Sequence, residues 1–158
     1  MGFLTGGENR VKAYLEATSA EIRDLIGTEW EVSHTWRESA GHHEMLTDMV
    51  TVSFIGVKDG RTYTIADFKL IGFPGCCGLV ISTQTMVAES CRGRGIGKLL
   101  QHLKKHLALS LGFGAILAVT VQKNEIQHKV FEGAGYQHLE DVYNKGTGNT
   151  INMFLKKV

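Results

Sequence analysis

The chain has few cysteines, one proline, almost no net charge and no long apolar run, and each shortage removes a class of protein. Cys76, Cys77 and Cys91 are its only cysteines. An odd number of thiols in a chain of this size gives no disulfide framework. The adjacent pair is poorly placed to bridge itself or to chelate a metal alone. No Cys-x-x-Cys pair supplies a zinc site, so no metal is expected. No apolar stretch approaches membrane-spanning length. The first ten residues, MGFLTGGENR, lack the basic region and apolar core of a secretory signal, and Gly6 falls where a myristoylation pattern needs Ser or Thr. Free thiols and no targeting signal lead to an expected cytoplasmic location. A net charge of +1 gives the whole chain no electrostatic reason to seek nucleic acid. There is no internal repeat and no linker, and the single proline falls within a short Gly-rich loop. One domain spanning residues 1–158 is expected.

Glycine, by contrast, is plentiful, with 19 residues. Charge is also unevenly placed. Residues 1–79 carry seven Lys/Arg and eleven Asp/Glu, whereas residues 80–158 carry ten and five. A basic second half suits a polyanionic ligand, and it is equally read as uneven surface charge.

Hydrophobic periodicity orders the elements. Val11, Tyr14, Leu15, Thr18, Ile22, Leu25 and Ile26 share a helical face, and Thr18 with Glu21 reads as a capping box, so residues 8–27 suggest two short helices broken near Thr18–Ser19. Trp30, Val32, His34 and Trp36 alternate with polar residues in a half-buried strand. A strand over 45–55 and its partner over 62–70 flank the turn Lys58-Asp59-Gly60. Residues 79–87 form a strand and 96–111 a helix with the stripe Leu99, Leu100, Leu103, Leu107, Leu111. Lys104, Lys105 and His106 fall mainly to its exposed side. The apolar run 115–121 reads as a central strand buried on both faces. Strand, helix, strand in this order makes the two strands parallel. Residues 125–133 form a last helix, and 136–143 with 150–155 a closing hairpin. The expected class is α/β (α+β): a mixed central sheet with N-terminal helices, a strand meander, then β-α-β-α and the hairpin.

The informative stretch is Val87-Ala88-Glu89-Ser90-Cys91-Arg92-Gly93-Arg94-Gly95-Ile96-Gly97-Lys98, between a strand and a helix. Glycines there let backbone approach a ligand. The helix start adds unpaired N–H groups and a positive dipole end, which suits phosphate or pyrophosphate. Neither the dinucleotide fingerprint nor the Walker loop is met. What fits is Arg92-x-x-Gly95-x-Gly97.

This pattern resembles the acyl-CoA pyrophosphate loop of the GNAT N-acetyltransferase superfamily, with Glu89 where that family often has proline. A second stretch, from Asn124 to Tyr136, is similar to the segment of the same family that covers its last helix and following turn. Asn124, Gly135 and Tyr136 match it. Gln127 and Phe131 depart from it. The resemblance covers residues 79–136 clearly and the preceding meander loosely. The family's first strand has only Phe3 and Leu4 to draw on, so that strand is expected to be very short or missing.

The resemblance implies acetyl-CoA as co-substrate. It places backbone near Met86 and Val87 beside the pantetheine arm and an oxyanion-donating N–H near Val87. The segment Arg92, Gly93, Arg94, Gly95, Ile96, Gly97 and Lys98 would lie around the pyrophosphate, and Asn124 and Phe131 along the pantetheine. Asn124 is equally a helix cap. Many members use a Tyr hydroxyl at the leaving thiolate, a role Phe131 cannot take. The implied reaction is direct attack of an amine on the thioester, with a small molecule or a protein as acceptor. The alternative is a catalytically weak or inactive acyl-CoA-binding regulatory domain. Nucleic acid is disfavoured as acceptor, no membrane association is expected, and the chain is expected to be a monomer or a homodimer.

The general base is not evident, since LVISTQTMV holds no Asp, Glu or His. Asp67, His128 and Tyr143 are the catalytic candidates. Asp67 reads first as an outward-facing strand carboxylate and only then as a base. His34 reads as a core or pocket-wall residue, and the cluster His42, His43, Glu44 as acceptor-site wall or solvated loop. Thr83, Gln84 and Thr120 are candidates for guiding water. Cys91 lacks the partners of a nucleophile.

Overall fold

A computed structural model describes residues 4–39, 48–73 and 75–158. The cluster His42, His43, Glu44 and the residues Phe3, Leu46 and Pro74 lie outside the described residues. The elements run α1 (Glu8–Ile26), β1 (Glu31–Ser39), β2 (Met49–Lys58), β3 (Arg61–Gly72), β4 (Leu79–Val87), α2 (Ile96–Leu111), β5 (Ala115–Val121), α3 (Glu125–Gly133), β6 (Gln137–Asn144) and β7 (Asn149–Lys157). One seven-stranded sheet has the order β1-β2-β3-β4-β5-β7-β6. All neighbours are antiparallel except β4 and β5, which run parallel as the strand–helix–strand order requires.

The N-terminal helix is one helix, not two. Thr18 and Ser19 turn their hydroxyls back onto the Tyr14 and Leu15 carbonyls, so they are satisfied inside an unbroken helix. Gly27, with φ 128°, ends it as expected. No strand precedes α1 among the described residues. The amides of Leu4 and Thr5 instead donate to the Asp48 carboxylate at 2.5 and 2.7 Å, and that of Gly6 to Glu38 at 2.7 Å.

Sheet register explains the core. Val50, Val52 and Phe54 on β2 pair with Leu70, Phe68 and Ala66 on β3, and all six are buried. Val80 on β4, Ile116 and Ala118 on β5 and Phe154 on β7 continue that face. Against it lie Val11, Leu15 and Ile22 of α1 and Leu100, Leu103, Leu107 and Leu111 of α2. Each such side chain contributes about 1.5–3 kcal/mol by leaving water. α3 covers the same face further along, with Phe131 and His128 packed on Phe154 at ring separations of 5.1 and 5.4 Å.

Two expectations need correction here. β5 is buried on one face only, because Val119 and Val121 on the other face are exposed. Lys104 does not lie on the outside of α2. It shares the stripe of Leu100, Leu107 and Ala108, is fully buried, and packs over the Phe68 ring at 4.9 Å.

One glycine in β2 is fixed by a close approach. A Cβ on Gly56 would come within 2.5 Å of Ile65 Cδ1 and 2.8 Å of Trp30 Cε3. Gly56→Ala is therefore expected to destabilise the fold by about 1–3 kcal/mol, the usual cost of overpacking, seen as a lower urea midpoint at unchanged slope.

Candidate active site

The site begins with a defect in β4. Lys69 pairs with Thr83, but Asp67 pairs with Met86, so β4 holds one residue more than β3 over this span. Gln84 and Thr85 together oppose Phe68, and Gln84 takes φ +51°. This is a β-bulge, and a bulge bends its strand. The consequence appears on the other side. β4 pairs with β5 only from Leu79 to Ser82, whereas β5 stays paired with β7 to Val121. Beyond Ser82 the two parallel strands separate into a cleft.

Backbone polarity in the cleft follows from alternation along the strand. The Ala88 N–H turns toward β3 and donates to Ile65, so the Val87 N–H and C=O face the other way, into the cleft. Arg92 Nε donates to that Val87 carbonyl at 3.0 Å. A turn of 3₁₀ helix, Glu89–Cys91, then carries the chain to the glycine loop.

The loop ends at the start of α2. Gly95 is its N-cap with φ +88°, a backbone state that disfavours side chains with a Cβ. No side chain caps the helix, and its first turn holds no acidic residue. The first-turn amides and the positive dipole end are thus left for an anion. Arg92 and Arg94 serve this differently from the sequence reading. Arg94 donates to the Ile26 carbonyl at the end of α1, at 3.3 Å, so both arginines brace the loop. Lys98 lines a groove of about 400 Å³ between α1 and α2, opposite Glu21 and Asp24. Gly97 has ordinary helical φ, and nothing lies within 4 Å of where its Cβ would be.

Below the bulge, α2 sends Lys104 to the sheet. Its Nζ donates to Thr85 Oγ1 at 2.6 Å, and burial alone pushes its pKa down to about 7. On the opposite face of the sheet a pocket of about 370 Å³ opens beside the bulge, lined by Thr51, Asp67, Lys69, Gln84, Thr85 and Met86. Asp67 is half-buried there. Burial raises its pKa above the ordinary carboxylate value, with Lys69 and then Arg37 opposing the rise. A larger cavity, about 680 Å³, lies at the β2–β3 hairpin between Trp30, Tyr63 and Cys91, and it reaches Ala88 and Ser90 just past the end of β4. Its Lys58 is already paired with Glu29 at 3.0 Å.

The three catalytic candidates are not gathered. Asp67 lines the pocket on the open face. His128 packs at a tilt against Phe154 on the helix-covered face. Tyr143 is exposed on the edge strand β6, paired with Thr150. Asn124 accepts a hydrogen bond from the Gln127 amide at 3.1 Å, so it caps α3. Phe131 is buried between Tyr136 and Phe154, and Tyr136 donates to Gln101, its pKa raised by burial. His34 lines a pocket between α1 and β1. Cys91 is buried, with only Ser90 Oγ at 3.8 Å. His102 and His106 stand four residues apart on α2, a metal-pair spacing. However, His106 stacks on Tyr14 at 5.0 Å, and no group of three or more metal-ligating side chains is found among the described residues. Sequence reasoning missed Thr51, Lys69, Thr85 and Lys104. For the pocket residues the signal was the alternation Asp67-x-Lys69 on one strand face, which becomes a pocket wall only once the bulge places β4 beside it; for Lys104 it was the spacing to Leu100, Leu107 and Ala108.

No family model and no curated protein sequence matches the chain. Solved structures do. The GNAT domain of S. lividans PAT superposes with a TM-score of 0.56 at 19% identity, over 75% of this chain and 65% of that one. Spermidine N-acetyltransferase from Vibrio cholerae, solved with CoA and spermine, superposes with a TM-score of 0.54 at 13% identity, over 68% of this chain and 65% of that one. The chain spans less than two thirds of the length of either. The fold is that of the GNAT N-acetyltransferases.

Proposed function

We propose that the chain is an N-acetyltransferase that moves an acetyl group from acetyl-CoA to an amine. The observation that carries this is the β4 bulge, which opens a parallel strand pair directly before a glycine loop and an uncapped helix start. The residues present fit the co-substrate. Gly97 costs helix stability of about 1 kcal/mol relative to Ala, and nothing among the described residues comes close enough to require it, which leaves room for an external group at the first turn. Amides of residues 95–98 would hold pyrophosphate, with Arg92 and Arg94 fixing the loop. The cleft-facing edge of β4 at Met86 and Val87 would take the pantetheine amides as an added strand takes its neighbour's. Asn124 and Phe131 would border that arm from α3.

Bound there, acetyl-CoA supplies an activated thioester. The Val87 N–H faces the cleft and is placed to donate to the oxygen that gains charge as the amine adds. Asp67 lies on the open face beside the bulge and would take the amine's proton. The N–C bond forms, the C–S bond breaks, CoA leaves as thiolate, and the amine's proton passes to Asp67. Phe131 offers no proton to the thiolate. That absence favours one second reading, a domain that binds acyl-CoA without turnover.

Thiol release from acetyl-CoA across an amine panel separates the two. Turnover with any amine supports the enzyme, and calorimetric acetyl-CoA binding without turnover supports the regulatory domain. Asp67→Asn is expected to lower kcat about 10²–10³-fold, within the range of general-base groups, with acetyl-CoA affinity unchanged. An unchanged kcat would remove Asp67 from the mechanism.

A further inference from the structure

We propose that the acceptor is an amino acid, its amine at Asp67 and its carboxylate at Lys69 and Arg37 on the open face of the sheet. Given acetyl transfer at this cleft, the placement follows from strand register. Arg37, Thr51, Lys69 and Thr83 are successive cross-strand partners on β1, β2, β3 and β4, so they form one row on one face. Thr35, Ser53, Asp67 and Met86 form the adjacent row. That face is opposite the one covered by the helices, because Phe68 and Val52 between these rows point to α2 and the core.

The charges there are unspent. Asp67, Lys69 and Arg37 form no ion pair among the described residues, although Lys69 and Arg37 both act electrostatically on Asp67. Asp67 and Lys69 are two residues apart on one strand, about 7 Å along it, a distance one small zwitterion bridges with a hydrogen bond at each end. Asp67 and Lys69 flank the bulge from its two sides, Lys69 through Thr83 where β4 leaves β5 and Asp67 through Met86 beside Val87. An amine held by Asp67 is therefore level with the Val87 end of the cleft, and the carboxylate lies toward Lys69 and the point where the strands part. Hydroxyls of Thr51 and Thr83 flank the carboxylate position in the same row. Met86 is 50% exposed and gives the pocket an apolar side for a side chain. A polyamine fits poorly, since its further ammonium groups would meet two cations and, among the described residues lining the pocket, no second anion.

The reaction is then zwitterionic amino acid plus acetyl thioester to N-acetyl amino acid, free thiol and one proton: the ammonium loses a proton before it attacks, the N–C bond forms as the C–S bond breaks, and of the two protons the nitrogen loses one passes through Asp67 to water and the other ends on the departing thiolate. The test uses L-methionine, its decarboxylated counterpart 3-(methylthio)propylamine, and spermidine. Wild type is expected to favour methionine over the matched amine by about 30-fold in kcat/KM, the scale of one charge-assisted hydrogen bond. In Lys69→Gln and in Arg37→Gln that ratio is expected to fall, toward one in the former. Equal use of both, a preference for spermidine, or a ratio unmoved by both variants overturns the assignment. Calorimetric titration of methionine and of the amine into the full chain reads the same preference without turnover. Acetyl-CoA titration is run separately. If methionine binds in a Lys69-dependent way but acetyl-CoA does not bind, the amino acid site stands and the acetyltransferase reading fails. If acetyl-CoA binds but methionine neither binds nor reacts, the reverse holds.

Discussion

A Gly97→Val variant is expected to fold as the wild type does and to lose acetyl-CoA binding by about 100-fold or more, equivalent to about 2.7 kcal/mol. The two halves of that result have separate causes. Gly97 sits in the first turn of α2 with a φ any residue accepts, and its missing Cβ faces open space. Valine there strains nothing, and its helix propensity is slightly better than that of glycine, so stability should hold within about 0.5 kcal/mol. What valine does change is how closely an anion reaches the first-turn amides. Gly95 is the contrasting position. Its φ of +88° makes a side chain cost about 1–3 kcal/mol whether or not a ligand is present. In the pattern Arg92-x-x-Gly95-x-Gly97 the two glycines look alike, and the backbone shows that only Gly97 separates binding from folding. Circular dichroism, a urea midpoint and calorimetric titration of acetyl-CoA make the comparison. Undiminished affinity in folded Gly97→Val would take the pyrophosphate away from this loop.

The contrast shows where residue order carried information. β4, α2, β5 and α3 have the bounds that periodicity and glycine placement predict, because each is bordered by residues with one strong conformational preference, such as Gly95, Gly112 and Asn124. The β4 bulge had no such marker. Its left-handed residue is Gln84, and no glycine announces it. The pocket was hidden for the same reason, since Thr51, Asp67, Lys69 and Met86 come together through register, with Arg37 in the row beyond, and a slip of one residue would send them to the other face. The supposed break in α1 failed on local chemistry: Thr18 and Ser19 satisfy themselves on the carbonyls four residues back.

Lys104 is the case in which residue type and position disagreed, and position won. It lies on α2 one turn after Leu100 and one before Leu107 and Ala108, the spacing of a core face. Reading it as exposed relied on its charge. The structure keeps it fully buried with one hydroxyl partner, Thr85, and the aromatic face of Phe68. The thermodynamic consequence has a definite sign. Burial lowers the folded-state pKa from 10.5 to about 7. Between those values the unfolded chain holds a proton that the folded one has lost. Stability therefore rises with pH across that window, by up to about 1.4 kcal/mol per pH unit, and the full cost of burying the charge is felt below pH 7. Lys104→Met removes the titrating group while keeping a long apolar side chain, and Thr85→Val added to it removes the hydroxyl left without a partner. Urea midpoints of wild type and of the double variant at pH 6.5, 8 and 9 make the measurement, and their difference cancels every other titrating group. The wild type is expected to gain on the variant by about 2–3 kcal/mol between pH 7 and 9, with the variant the more stable protein at pH 6.5. Parallel curves over that range would mean that Lys104 stays protonated in the folded chain and that water reaches it beneath the bulge.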